Sequence, residues 1–173
     1  YACAFFSDKK LKHTYKKAIN FLNNELDEQF LNDGAHFELS PMYHALSIED
    51  LIDLYAIKEK LPTNFPSEKI KNKIIIGLNW LKYFSYKNSE IANFNDSTND
   101  IAPLESELIH LAKLNKININ KTKIETNKYF ESSGFYTFNN QNFKIIADVG
   151  KIGPDYIPGH SHADTLSFEL SIK

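Results

Sequence analysis

The sequence predicts a multidomain chain with an α part and a β part: helices over residues 1–116, then antiparallel strands over residues 117–173. Three observations carry this expectation. Leu11, Tyr15, Ile19, Leu22, Leu26 and Phe30 recur every three or four residues, the apolar stripe of an amphipathic helix. Beyond residue 126 the apolar residues fall into short aromatic and β-branched runs separated by Asn and Gly, which is strand-and-turn chemistry. Helices gathered first and strands later argue for segregated layers or domains rather than βαβ units. Successive helix pairs are also compatible with part of an (α/α) toroid.

The first helix should stop near Asn32-Asp33-Gly34, because glycine takes the left-handed cap conformation without a steric penalty. Ser40-Pro41 reads as an N-cap followed by proline at the first helical position, opening a helix with Leu46, Leu51, Leu54 and Tyr55 inward. A third helix is expected from Ser67, with Ile70, Ile74, Leu78 and Leu81 on one face. A fourth should follow Pro103 with Leu104, Leu108, Leu111 and Leu114. Lys116 to Lys121 is polar with isolated Ile and reads as a linker. Strands are expected at Asn127–Ser132, Gly134–Phe138 and Phe143–Ala147, with Asn139–Asn142 as a hairpin loop. Leu166, Phe168, Leu170 and Ile172 alternate with polar residues, the pattern of a half-buried strand.

Composition narrows the function. The 173 residues are 42% apolar and 24% charged, with a net charge of −2, so no basic field is present to attract nucleic acid. All 20 basic residues are lysine. Without a guanidinium fork, any bound carboxylate has to be held by Lys, His, Asn or backbone N–H groups. The single cysteine, Cys3, excludes an internal disulfide and a thiolate metal cluster. No run of 18 apolar residues exists to span a membrane. The apolar start at Tyr1–Phe6 is too short for a signal peptide, and both ends are abrupt, so the sequence reads as an internal piece of a larger protein.

Few side chains are candidates for chemistry. His160 and His162 stand at i and i+2. If the last strand has already begun there, both rings face one side. That spacing suits a metal, or one catalytic and one structural histidine, or two ordinary loop histidines. Asp164 stands close enough to orient an imidazole. Tyr43-His44 lies in the first turn of a helix whose entry holds His36 and Glu38. The competing reading packs Met42 and Tyr43 into the core and turns His44 to water. Asn93–Asp100, with Asn95 and Asp96, is a dense polar loop suited to sugar hydroxyls, or equally to Asx turns and a helix cap. The Asp148–Asp155 stretch reads as a shaped Gly/Pro loop without a phosphate-binding pattern.

Taken together, three segments resemble the heparinase II/III-like family of polysaccharide lyases. They are Asp33–His44, Phe94-Asn95-Asp96-Ser97, and the stretch from Asp148 through Gly153-Pro154-Asp155 to Gly159-His160-Ser161-His162-Ala163-Asp164 and Phe168. The resemblance implies a partial (α/α) toroid over 1–116, followed by the first strands of an antiparallel β-sandwich over 117–173. It implies β-elimination at a uronic acid in a glycosaminoglycan-like or alginate-like polymer. That reaction needs a neutralised carboxylate, a base for the C5 proton and an acid for the leaving oxygen. By resemblance, Tyr43 is the proton-transfer residue and His160 the assisting histidine. His162 is the first ligand of a structural metal, zinc or another divalent ion. His44, Glu38, Asn95 and Asp96 are substrate-binding or supporting candidates.

Two parts of the family pattern do not match this sequence. The carboxylate-neutralising Asn is expected before the position of Tyr1, and the remaining metal ligands after that of Lys173. The 173-residue polypeptide alone is therefore expected to lack lyase activity and to bind zinc poorly. The resemblance also implies an acidic polysaccharide as partner and a periplasmic or secreted bacterial location. Two other classes stay open at this point: a non-catalytic glycan-binding relative in surface-polysaccharide assembly, and a metal-dependent hydrolase built on the histidine pair.

Overall fold

A computed structural model describes residues 1–2, 11–119, 123–153, 155–156, 159 and 162–172. Four α-helices, with a 3-10 turn at Lys58–Lys60 between the second and third, precede four strands among them: α1 (Leu11–Gln29), α2 (Pro41–Ala56), α3 (Ser67–Leu81), α4 (Glu105–Leu114), β1 (Asn127–Phe130), β2 (Phe135–Asn139), β3 (Phe143–Asp148) and β4 (Phe168–Ile172). The strands form one antiparallel sheet in chain order. The helices-then-antiparallel-strands class expected from the sequence is thus the observed one. Cys3 and the apolar start lie largely outside the described residues, as do His160 and Ser161.

The helix boundaries follow local chemistry. Gly34 has φ +98° just past α1, and a Cβ there would lie 2.6 Å from the Ile76 carbonyl oxygen, so the position requires glycine twice over. The α1 C-terminus is held from α3: Lys73 Nζ donates to the Phe30 carbonyl at 2.9 Å, and Lys69 Nζ to the Asn23 carbonyl at 2.8 Å and Asp27 at 2.7 Å. Ser40 caps α2 as expected, its Oγ accepting the Tyr43 N–H at 3.3 Å, with Pro41 at the first position. The α3 stripe is buried at all four expected positions.

Two expectations fail at α4. Leu104 and Leu114 are exposed, and only Leu108 of the expected face is fully buried. The Lys116–Lys121 stretch does not begin as a free linker. Lys116 takes φ +60°, its N–H donates to the Lys113 carbonyl, and the Ile117 N–H donates to the Ala112 carbonyl at 2.9 Å. This is a Schellman cap built without glycine, and it drives Ile117 into the core.

An aromatic cluster joins helices to sheet. Trp80 stacks on Phe84 with centroids 3.7 Å apart, and Phe130 and Phe135 meet Trp80 edge-on at 6.3 and 6.1 Å. Phe94, from the loop before α4, meets Phe135 at 5.2 Å. Each such ring contributes roughly 1.5–3 kcal/mol of burial. Polar staples fix the register. Asp33 Oδ2 accepts the Ser133 N–H at 2.8 Å and the Ser133 hydroxyl at 2.9 Å.

The sheet corrects one further expectation. In β4 the apolar set does alternate, but it points away from the helices: Phe168, Leu170 and Ile172 are exposed while Glu169 and Ser171 face inward. The register places Tyr129, Tyr136, Ile145 and Leu170 on that same outer face.

Candidate active site

Three chain-distant segments meet at the start of α2. Ser40 and Met42 open the helix, and Ser97 is fastened to both: its Oγ lies 2.9 Å from Ser40 Oγ and accepts the Met42 N–H at 3.2 Å. Ser97 thereby satisfies one of the unpaired donors of the helix N-terminus. Asn95, two residues before it, is fixed as firmly. Asn95 is buried with φ +53°, a left-handed conformation that Asn tolerates, and its Nδ2 donates to the Leu39 carbonyl at 2.9 Å. The Asn95 N–H donates to the Asp164 carboxylate. The His162 N–H donates to Asn95 Oδ1 at 3.4 Å.

These restraints place the Asp96 carboxylate between two of the residues singled out by the sequence. The Tyr43 hydroxyl donates to Asp96, and His162 Nε2 lies 3.5 Å from Asp96 Oδ1. Partial burial raises the Tyr43 pKa above the ordinary value of 10, and the negative charges of Asp96 and Glu38 raise it further. Tyr43 is therefore a neutral phenol at pH 7. Glu38 enters the site through its charge on Tyr43.

The remaining expectations sort differently. The competing reading of the α2 entry is half right, since Met42 is buried while Tyr43 is only partly so. His44 was expected as a substrate-binding or supporting residue, or else facing water, and it does not face water. It is fully buried, 4.7 Å from Trp80 and 6.4 Å from Phe30 between ring centroids. Its Nδ1 accepts the His36 N–H at 3.1 Å, and its Nε2 lies 3.0 Å from the Gly77 carbonyl, which makes the neutral Nε2–H tautomer the one that satisfies both. Burial pushes its pKa down to about 3. His44 is a core residue that ties the α1–α2 loop to α3, so full burial rules out direct substrate contact and leaves only the supporting half of the expectation.

His162 stands in the loop before β4, six residues short of Phe168, so the strand geometry that would aim both histidines to one face is not present. Asp164, expected to orient an imidazole, instead holds the Asn95 backbone. His160 lies outside the described residues. The structural-metal expectation also meets the donor set directly. Among the described residues no three His, Cys, Asp or Glu side chains come together as a metal site, and His162 is accompanied only by Asp96. The described residues do not fit a zinc ion by themselves.

Sequence reasoning underweighted Asp96 and Ser97. Besides the family resemblance of Phe94–Ser97, their signal was the density of Asn, Asp and Ser in one loop, which equally suits a helix cap. Beside this cluster runs a cleft of about 690 Å³ along the end of α1, the α1–α2 loop and the sheet, with Phe37, Tyr129, Glu131, Lys151 and Tyr156 in its walls. Leu39 belongs to both, lining the cleft while its carbonyl holds Asn95.

A helical segment packed on an antiparallel sheet, with the site in the loops that join them, defines the class. The chain belongs to the heparinase II/III family: the heparinase II/III N-terminus matches residues 1–123, and the heparinase II/III-like C-terminal part matches residues 123–173. A heparin-sulfate lyase of Bacteroides stercoris is 30% identical over 167 residues, covering 91% of this chain and 21% of that protein. One from Pedobacter heparinus is 29% identical over 179 residues, covering 90% of this chain and 26% of that protein. The crystal structure of the heparan sulfate lyase HepC from Pedobacter heparinus superposes with a TM-score of 0.71 at 22% identity, over 95% of this chain and 28% of that one. The chain thus spans 21% and 26% of the two curated relatives' length, and the structural likeness speaks for the fold.

Proposed function

We propose that this chain is part of a polysaccharide lyase that cleaves a uronic-acid-containing glycan by β-elimination, with Tyr43 as the proton-transfer residue and His160 assisting. The observation that carries the reading is the convergence of Tyr43, Asp96 and His162 at the start of α2, in a family whose relatives above are heparin-sulfate lyases.

In the reaction the C5 proton leaves, the C4–O4 bond breaks, a C4–C5 double bond forms, and the departing oxygen takes a proton. Tyr43 rests protonated, since burial and two carboxylates oppose its ionisation. It is therefore ready to donate to the departing oxygen. For Tyr43 to take the C5 proton first, its own proton has to move, and Asp96, which already accepts that hydrogen bond, is the adjacent acceptor. The fixed Asn95-Asp96-Ser97 backbone holds this geometry before substrate arrives, which is where positional control lowers a barrier.

The test is cleavage of uronate polymers by the full-length protein, followed by the ultraviolet absorbance of the unsaturated product, with Tyr43→Phe alongside. Cleavage that persists unchanged in Tyr43→Phe refutes the assignment of Tyr43, and an inactive wild-type protein refutes the lyase reading.

A further inference from the structure

The loop that carries Asp96 leaves a short hairpin whose two arms are joined by backbone bonds. The Ala92 N–H donates to the Phe84 carbonyl and the Tyr86 N–H to the Glu90 carbonyl, both at 2.8 Å. Asn93 follows directly and is exposed. A backbone donor at such a point ordinarily turns to water, which leaves the loop entry free to pivot. Here it has a partner 76 residues further along: Glu169 on β4 accepts the Asn93 N–H on Oε1 at 2.8 Å. The other oxygen of Glu169 accepts the Tyr86 hydroxyl, from the first arm of the hairpin. Both carboxylate oxygens are thus committed, and bonds to a charged acceptor are the stronger kind. Burial, and then the Glu169 carboxylate, push the Tyr86 pKa up, so this phenol stays a donor.

The support behind Glu169 is rigid. It pairs across the sheet with Ile146 of β3, which is fully buried. Asp96 stands three residues past Asn93, and its side chain reaches Tyr43 and His162. We infer that Glu169 is a positioning residue of the candidate active site: by fixing the Asn93 N–H to β4 it sets the entry of the Asn93–Ser97 loop, and with it the reach of Asp96 to Tyr43. The inference rests on the reading of the Tyr43 cluster as the reaction centre and adds a residue that acts on it only through the loop. Phe94 stays packed on Phe135, and Asn95 stays bonded to the Leu39 carbonyl and Asp164, when Glu169 is removed. The loop then shifts without melting, so the expected loss is about tenfold, less than the ~100-fold that a 1 Å misplacement can cost.

The test compares Glu169→Ala and Glu169→Gln with wild type in the full-length protein, by uronate-polymer kinetics and by hydrogen exchange of the segment covering Asn93–Ser97. Lys73→Met serves as the control for lost stability, because Lys73 ties α3 to the Phe30 carbonyl and not to this loop. Glu169→Ala should lower kcat about tenfold with KM within about twofold, and speed exchange of the segment about tenfold. Glu169→Gln keeps an oxygen for the Asn93 N–H and should stay within about threefold of wild type in kcat and exchange. Lys73→Met should lower the melting temperature and leave both within about twofold. An unchanged kcat or unchanged exchange in Glu169→Ala, a loss that falls on KM alone, an equal loss in Glu169→Gln, or the same kcat loss in Lys73→Met each overturns the inference. A wild-type protein that cleaves no uronate polymer removes the lyase reading instead. Loop exchange then decides by itself: faster exchange in Glu169→Ala upholds the hold of Glu169 on the loop, and unchanged exchange overturns it.

Discussion

His44 makes the stability of this protein fall with pH in a way that one residue controls. At pH 7 its ring is neutral in the native and unfolded chains alike. Below about 6.5 the unfolded chain takes up a proton, whereas the native ring, sealed among Trp80, Phe30 and Gly77 with both nitrogens occupied, does so only near pH 3. The native pKa is depressed, so the unfolded state binds more protons throughout that window and stability drops as pH falls. The slope for one such group is about 1.4 kcal/mol per pH unit. Two units below the unfolded pKa, at pH 4.5, the loss is about 2.7 kcal/mol, a large part of a domain's usual 5–15 kcal/mol. Groups that titrate equally in wild type and variant cancel in the comparison with His44→Gln. That variant keeps a donor for the Gly77 carbonyl and should be about 1–3 kcal/mol less stable at pH 7. Urea unfolding from pH 7 to 4.5 should show the wild-type advantage shrink by about 2.7 kcal/mol, so that the two stabilities converge or cross. A constant difference across that range would refute the account of a neutral, buried ring.

Three further outcomes follow from named contacts. Asp33→Ala removes two bonds to Ser133 and one to Ala35; it should cost about 2–4 kcal/mol in urea unfolding, with Asp33→Asn losing about half, and a loss below ~1 kcal/mol would show that the staple is dispensable. Gly34→Ala places a methyl 2.6 Å from the Ile76 carbonyl at φ +98°; a destabilisation of at least ~2 kcal/mol is expected, and a stable variant would mean the α1–α2 loop adopts another path. Tyr43→Phe in the full-length protein should lower kcat by about 100-fold or more while the melting temperature moves by less than ~2 °C, because only a partly exposed hydroxyl is lost; equal losses of activity and melting temperature would assign Tyr43 a packing role.

The parts legible in the sequence were those governed by short-range chemistry. Gly34, Ser40 and Pro41 act through their own backbone and side chain, and Ile70, Ile74, Leu78 and Leu81 repeat with the helix, so both could be read locally. The α4 cap escaped notice because Lys116 takes the left-handed conformation without being glycine. His44 escaped because burial of a histidine depends on partners eight and 33 residues away. The site divides in the same manner. Tyr43 and Asp96 were named, but the bond between them, and the clasp of Asp164 on Asn95, join positions 53 and 69 residues apart that no spacing rule connects.

The inverted polarity of β4 accounts for how that clasp is held. An antiparallel sheet with one wet face normally turns its apolar side to the core, and β1–β3 do so through Phe130, Phe135 and Ile146, yet in β4 Phe168, Leu170 and Ile172 face outward, on the side of Tyr129 and Tyr136. Their inward neighbours are polar because they have work across the interface. Glu169 accepts the Asn93 N–H at 2.8 Å and the Tyr86 hydroxyl, and Lys144 donates to the Ser85 carbonyl at 2.6 Å. Asn93 stands two residues before Asn95, so β4 grips the loop through Glu169 just upstream of the point where Asp164 grips it again. The outward apolar face is then the expected consequence: a strand whose inner positions are committed to anchoring a site loop has only its outer positions left for apolar packing, and a face of that kind packs against a second sheet rather than water. Such a second layer is what the proposed β-sandwich would supply, and it would stiffen the strand that positions Asp96 against Tyr43.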